Sequence, residues 1–157
     1  MREIRPGHDA TGLRFGLAAA RFNEAYVQRL VHGALEVLRA QGAADGDLTL
    51  HWVPGSYELP LAARWLAERG RCDAVLALGV VIRGETEHFR LIADAAASGL
   101  MRVMLDTGVP VLNGVLAAYD AAQAEARTGG AVGNRGSDIA LAAVQMARLR
   151  AEVAPRG

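Results

Sequence analysis

The run from Ala74 to Ile82, AVLALGVVI, has no polar side chain at either alternating position. A strand of that kind is apolar on both faces and needs cover on both, so it belongs in the middle of a parallel sheet flanked by helices. It is too short to span a bilayer. Around it, short apolar runs alternate with amphipathic stretches. Leu13–Ala20 and Leu48–Val53 are strand candidates before it, and Val109–Leu116 follows it. Val27, Leu30, Val31, Ala34, Leu35 and Leu38 recur at three and four residues, which marks one helix face. Asn23 is placed to cap that helix and Gly42 to end it. Tyr57–Arg69 reads as a helix with Pro60 in its first turn, where a missing N–H is tolerated. Thr86–Leu105 and Asp120–Arg127 also read as helices, and Ser137 is the expected cap of a last helix carrying Ile139, Ala143 and Met146.

Strand–helix alternation at this spacing implies right-handed βαβ units. The expected fold is α/β: a three-layer sandwich with a four-stranded parallel sheet and helices on both faces. Residues 1–12 are polar, with Pro6, Gly7 and Gly12, and read as a flexible arm; residues 13–157 read as one domain.

Composition narrows the chemistry. Lys plus Arg equals Asp plus Glu at 17 each, a balance that excludes the basic excess of a nucleic-acid or membrane-surface binder. Every one of the cations is Arg. Without lysine there is no Schiff-base anchor and no Walker-type phosphate lysine, so imine chemistry must use an amine supplied by a substrate. The hydrophobic class is 52%, with 18 glycines besides, which is a surplus for one small domain and points to surface covered by copies of the same chain. Cys72 is alone and reads as inert; with no disulfide framework and no apolar signal region, the expected compartment is the cytoplasm. His8, His32 and His51 show no ligand spacing, and no metal site is expected.

Ligands of such sheets bind beyond the carboxyl ends of the strands. The unusual residues cluster there: Phe22-Asn23, Gly55-Ser56-Tyr57-Glu58, Arg83 through His88, and Asn113-Gly114. The segment after the central strand has two readings. Gly84 and the free N–H groups of a helix start can cradle an anion, or the turn is an ordinary βα connection with Thr86 as N-cap. His88, in the first helical turn, is suited to proton transfer near neutral pH. Gly55-Ser56-Tyr57-Glu58 offers a hydroxyl, a ring and a carboxylate to a polyhydroxylated ligand, or is simply a capping turn. Phe22 can stack on a flat heterocycle or neighbour a helix cap.

Taken in order, Arg21-Phe22-Asn23, Val53 to Pro60 (VPGSYELP), Gly79 to Phe89 (GVVIRGETEHF), Pro110 to Leu116 (PVLNGVL), Ala126-Arg127 and Gly133 to Gly136 (GNRG) resemble the 6,7-dimethyl-8-ribityllumazine synthase family. The resemblance covers residues 13–150 and implies a flavodoxin-like subunit, assembled as a homopentamer or as an icosahedral shell of twelve pentamers. It implies condensation of 5-amino-6-(D-ribitylamino)uracil with 3,4-dihydroxy-2-butanone 4-phosphate, releasing phosphate and water, with no cofactor. These small molecules, further copies of the chain and riboflavin synthase are the partners it suggests. By the same resemblance, Phe22 stacks on the uracil ring. Backbone groups around Asn23, with Ser56 and Glu58, hold the ribityl chain, Val81 and Ile82 contact the pyrimidine, and Gly55, Tyr57 and Val80 belong to the same substrate-binding set. Gly84, Glu85 and Thr86 receive the phosphate, His88 moves protons, and Arg127 of a neighbouring subunit pairs with the phosphate. Asn113 and Arg135 complete the expected set. The chain departs from the family pattern at Asn113, where an aromatic is frequent, at Arg135 for Lys, at Ala117 for Thr, and at Ala131 for a basic residue. An archaeal-type riboflavin synthase and a weakly active flavin-binding or shell-forming relative are the alternatives. The intact Gly84–His88 segment with Arg127 favours the phosphate-using enzyme.

Overall fold

All six residues of β1 (Phe15–Ala20) are buried, as the sequence requires of a strand covered on both faces. The computed structural model describes residues 1–154, so the last three positions of the expected 13–157 domain lie outside the described residues. β1 pairs in parallel with β2 (Leu48–Val53) on one side and with β3 (Ala74–Ile82) on the other. β4 (Val111–Ala118) closes the far edge, giving the order β2-β1-β3-β4, all parallel.

Alternation along the strands separates two cores. Phe15, Leu17 and Ala19 of β1, with Leu76, Leu78 and Val80 of β3, pack against α1 (Glu24–Ala40) and α5 (Arg135–Val153). Ala18, Ala20, Val75 and Ala77 point the other way, towards α2 (Leu59–Glu68) and α3 (His88–Thr107). Burying each large side chain in such a core contributes about 1.5–3 kcal/mol. The fold is therefore the expected flavodoxin-like α/β sandwich.

α5 starts with its backbone packed directly on the backbone of α1. A Cβ on Gly136 would land on the Leu30 carbonyl, and one on Gly33 would meet the Asn134 side chain at 2.6 Å. Gly42, at φ +105, follows α1 and lets the Ala43 N–H donate back to Leu38 at 3.0 Å. The short α4 (Ala121–Arg127) is capped by Asp120, whose carboxylate accepts from the Gln123 N–H at 2.8 Å. A small hairpin, β5 (Thr128–Gly130) with β6 (Gly133–Asn134), leads into α5.

Several ends differ from the sequence reading. β1 starts at Phe15 rather than Leu13, and β4 covers Val111–Ala118 rather than 109–116, because the strand ladder begins only where β3 offers partners. Ser56–Glu58 forms a single 3-10 turn before α2, which starts at Leu59 with Pro60 in its first turn. α3 starts at His88, with Glu87 rather than Thr86 at the N-cap position, and runs to Thr107. Ser137 lies inside α5; Asn134 is the cap, its side-chain oxygen accepting from the Ser137 N–H at 3.1 Å. The amide reaches the backbone from just outside the helix, whereas Ser137 is already within the first turn. Residues 1–10 form no strand or helix, but the end of this arm is tethered. Ala10 is buried, its N–H donating to the Gln41 carbonyl at 2.8 Å, and Arg148 donates to the carbonyls of Asp9 and Thr11. Hydrogen bonds from Thr11 hold the Asp9 carboxyl below its ordinary range. Among the described residues, no helix is long and apolar enough to cross a membrane.

Candidate active site

Three strand exits form one wall. Beyond β1 and β2 the chain keeps a ladder-like pairing, Arg21 N–H to the Val53 carbonyl at 2.8 Å and Phe22 N–H to the Pro54 carbonyl at 3.1 Å. At Asn23 the backbone enters the left-handed region, φ 59, and turns abruptly into α1. The expected cap does not form. The Asn23 amide instead donates to the Val80 carbonyl at 2.7 Å, fixing the β1 exit against β3. This turn leaves the Phe22 ring 69% exposed, beside the β2 and β3 exits.

Those exits enclose a cavity of about 480 Å³. Phe22, Val81, Ile82 and Ile92 supply apolar wall; Gly55, Ser56, Tyr57 and Glu58 come from the β2 exit, and Gly84, Thr86 and His88 from the β3 exit. Ser56 is nearly buried and packs against β3 at a point that only glycine permits, since a Cβ on Gly79 would occupy the place of the Ser56 hydroxyl. Ser56 caps neither the 3-10 turn nor α2, which leaves the capping reading of that loop without support. The Gly84 backbone stands in open space. Thr86 Oγ1 accepts from the His88 N–H at 3.3 Å, and Glu87 pairs with Arg90 at 3.6 Å. The first turn of α3 thus faces the cavity with its positive dipole end, a hydroxyl and an imidazole. An apolar slot with polar groups at both ends can hold a flat heterocycle by its faces and a hydrophilic tail by its rim.

The other expected residues do not join this cavity. The Val80 side chain is fully buried towards α1 and α5, and only its carbonyl is engaged here. Glu85 is exposed on the loop without lining the cavity. Asn113 lies on the open edge of β4, its side-chain oxygen accepting from the Val115 N–H at 3.0 Å. Arg127 and Arg135 line a second depression of about 300 Å³ with Leu116, Val132 and Asp138, and the Arg127 guanidinium donates to the Gln123 carbonyl at 3.3 Å. Within one chain, His88 and Arg127 therefore lie on separate concave surfaces. Pro54, Phe89 and Ile92 also line the larger cavity and were not singled out from sequence. Ile92 was detectable, because it lies four residues after His88 and shares its helix face.

The family model described as 6,7-dimethyl-8-ribityllumazine synthase matches residues 12–151 of this chain. Two curated relatives, each named 6,7-dimethyl-8-ribityllumazine synthase and from two strains of Thermus thermophilus, are 45% identical to it over 148 residues. The match covers 94% of this chain and 94% of each relative. With the parallel sheet, the strand-exit cavity and this agreement along nearly its whole length, the chain belongs to the 6,7-dimethyl-8-ribityllumazine synthase family of riboflavin biosynthesis.

Proposed function

We propose that the protein condenses 5-amino-6-(D-ribitylamino)uracil with 3,4-dihydroxy-2-butanone 4-phosphate to give 6,7-dimethyl-8-ribityllumazine, without a cofactor. The observation that carries the proposal is the convergence of Phe22, Ser56, Glu58, Val81, Ile82, Gly84, Thr86 and His88 on one cavity. In this reading Phe22 stacks on the uracil, and Val81 and Ile82 pack against its other edges. Asn23, Gly55, Ser56, Tyr57 and Glu58 hold the ribityl side, with Val80 contributing backbone. Gly84, Glu85 and Thr86 present N–H groups and a hydroxyl to the phosphate at the start of α3.

The chemistry follows from the substrates. The 5-amino group attacks the ketone carbonyl and a water leaves, forming an imine on the substrate's own amine; this agrees with a chain that has no lysine. Loss of the proton from the adjacent hydroxyl-bearing carbon lets the C–O bond to phosphate break. The resulting enol tautomerises to a second ketone, and the ribityl-bearing nitrogen closes the ring with loss of another water. His88 takes and returns protons in these steps, a role that contributes on the order of 10²–10⁴ in rate.

Arg127 of a neighbouring copy pairs with the phosphate through its planar fork, and Arg135 and Asn113 complete the substrate-binding set. Support for a shared site comes from the separation of the His88 and Arg127 surfaces within one chain. Exposed Leu61 and Trp65 on α2, with Leu91, Met101 and Leu105 on α3, support contact between copies. The proposed assembly is a cytoplasmic homopentamer or a shell of pentamers, with riboflavin synthase as the consumer of its product. Incubation with both substrates, with lumazine absorbance and phosphate release followed together, tests the reaction. Equal appearance of both products is expected; phosphate without lumazine, or neither, overturns it.

A further inference from the structure

We propose that Tyr119 is a positioning residue that holds both flanks of the 83–89 loop on one aromatic ring. The inference rests on the reading above, in which this loop receives the phosphate, and adds a residue that does not itself line the cavity.

Tyr119 directly follows β4. The neighbouring Ala118 carbonyl accepts from the Arg83 N–H at 2.9 Å, so β3 and β4 end level with each other. From that point the Arg83 guanidinium lies over the Tyr119 ring, 5.3 Å from its centroid. Phe89 meets the same ring edge-on, with centroids 6.1 Å apart and planes at 64°. Arg83 enters the loop and Phe89 leaves it, already inside α3. Both ends of the segment therefore rest on a single side chain.

That support matters because the loop has little of its own. Every residue from Arg83 to His88 is exposed, and a Cβ on Gly84 would meet no neighbouring side chain or backbone. Among the described residues, the side-chain bonds of Gly84–His88 are short-range: the His88 N–H donates to Thr86 Oγ1, and Glu87 pairs with Arg90. The Tyr119 ring is half exposed, but its backbone is fixed. Its N–H donates to Gln123 Oε1 at 2.9 Å, and the next residue, Asp120, caps α4. A short segment pinned at both ends has few conformations to lose when it binds an anion. Phe89 also lines the cavity, so its contact with Tyr119 fixes one piece of the cavity wall.

Both contacts belong to the ring and not to the hydroxyl, which defines the test. Tyr119→Ala and Tyr119→Leu remove the π face, and Tyr119→Phe keeps it. A glutamyl endopeptidase that cuts after Glu85 and Glu87 reads loop opening directly, with cleavage after Glu68 in α2 as the control. Loop cleavage should accelerate about tenfold in the Ala and Leu variants, a change within the combined strength of one cation–π contact and one edge-to-face pair. It should return to the wild-type rate in Tyr119→Phe, and cleavage after Glu68 should not change. In turnover assays, KM for the butanone phosphate should rise about tenfold in the Ala and Leu variants. KM for the ribitylaminouracil and kcat should change by less than about threefold. Loop cleavage equal to wild type, equal acceleration after Glu68, or failure of the Phe variant to restore the loop would each overturn the proposal. Ring-dependent loop opening in a protein that forms no lumazine would leave the positioning role standing and overturn the catalytic reading instead.

Discussion

The Asn23 side-chain amide donates to the Val80 carbonyl at 2.7 Å, joining two strand ends that lie 57 residues apart in sequence. The bond holds the left-handed turn that follows Phe22 and ties it to the strand whose next residues form the cavity wall. Asn23→Ala leaves that carbonyl without its partner and keeps a side chain at positive φ. Urea unfolding should show a loss of about 1–3 kcal/mol. Asn23→Gly, which relieves the backbone and still lacks the amide, should recover part of this loss. Equal stability of all three proteins would show that the bond does not hold the turn.

Gly136 of α5 packs directly on the α1 backbone at Leu30. An added methyl meets the Leu30 backbone carbonyl, which cannot rotate away. Gly136→Ala should therefore force the helices apart and cost about 1–3 kcal/mol, the range for overpacked cores. The neighbouring Ala140→Gly is a useful control, because it loses helix propensity without a clash. A change below about 0.5 kcal/mol for Gly136→Ala in chemical denaturation would mean that the pair slides freely.

Arg127→Ala should weaken the phosphorylated substrate by about 2–5 kcal/mol, as expected for truncating one partner of a hydrogen-bonded charge pair. Titration with the ribitylaminouracil should change little. Equal losses for both ligands would assign Arg127 a structural role, for which its bond to the Gln123 carbonyl is the obvious route.

His88→Ala alone should lower turnover by roughly 10²–10⁴, and less if the condensation proceeds spontaneously once the substrates are bound. Mixing this variant with Arg127→Ala tests whether the two side chains meet across a subunit boundary. In a cyclic ring each boundary takes one face from each neighbour, so co-expression at equal levels should leave roughly a quarter of the sites intact. Turnover of the mixed rings should then exceed the mean of the two parent proteins. If both residues served the same site within one chain, no mixture could rebuild it, and turnover would equal that mean.

The layout of strands and helices could be read from the chain because periodicity is a local property repeated over many residues. The unbroken apolar runs of β1 and β3 both specify cover on two faces, and α1 shows its buried stripe at Val27, Leu30, Val31, Ala34 and Leu38. The strand-exit loops were legible for a related reason: in a parallel sheet every such loop emerges at the same end. That rule brings Phe22, Gly55–Glu58, Gly84, Thr86 and His88 to one cavity before any distance is known. The absence of lysine needed no structure at all. Contacts between distant segments were a different matter. Asn23 looked like a helix cap, since a cap is the nearest use for its amide; only the folded sheet brings the Val80 carbonyl within reach. Tyr119 carried no signal, because its partners Arg83 and Phe89 are set by the parallel register of β3 and β4. The separation of Arg127 from His88 was likewise decided by packing, with α4 and the β5–β6 hairpin turning Arg127 onto its own surface. A pattern of side chains sets which face each element buries; which polar group meets which depends on where the elements finally stop.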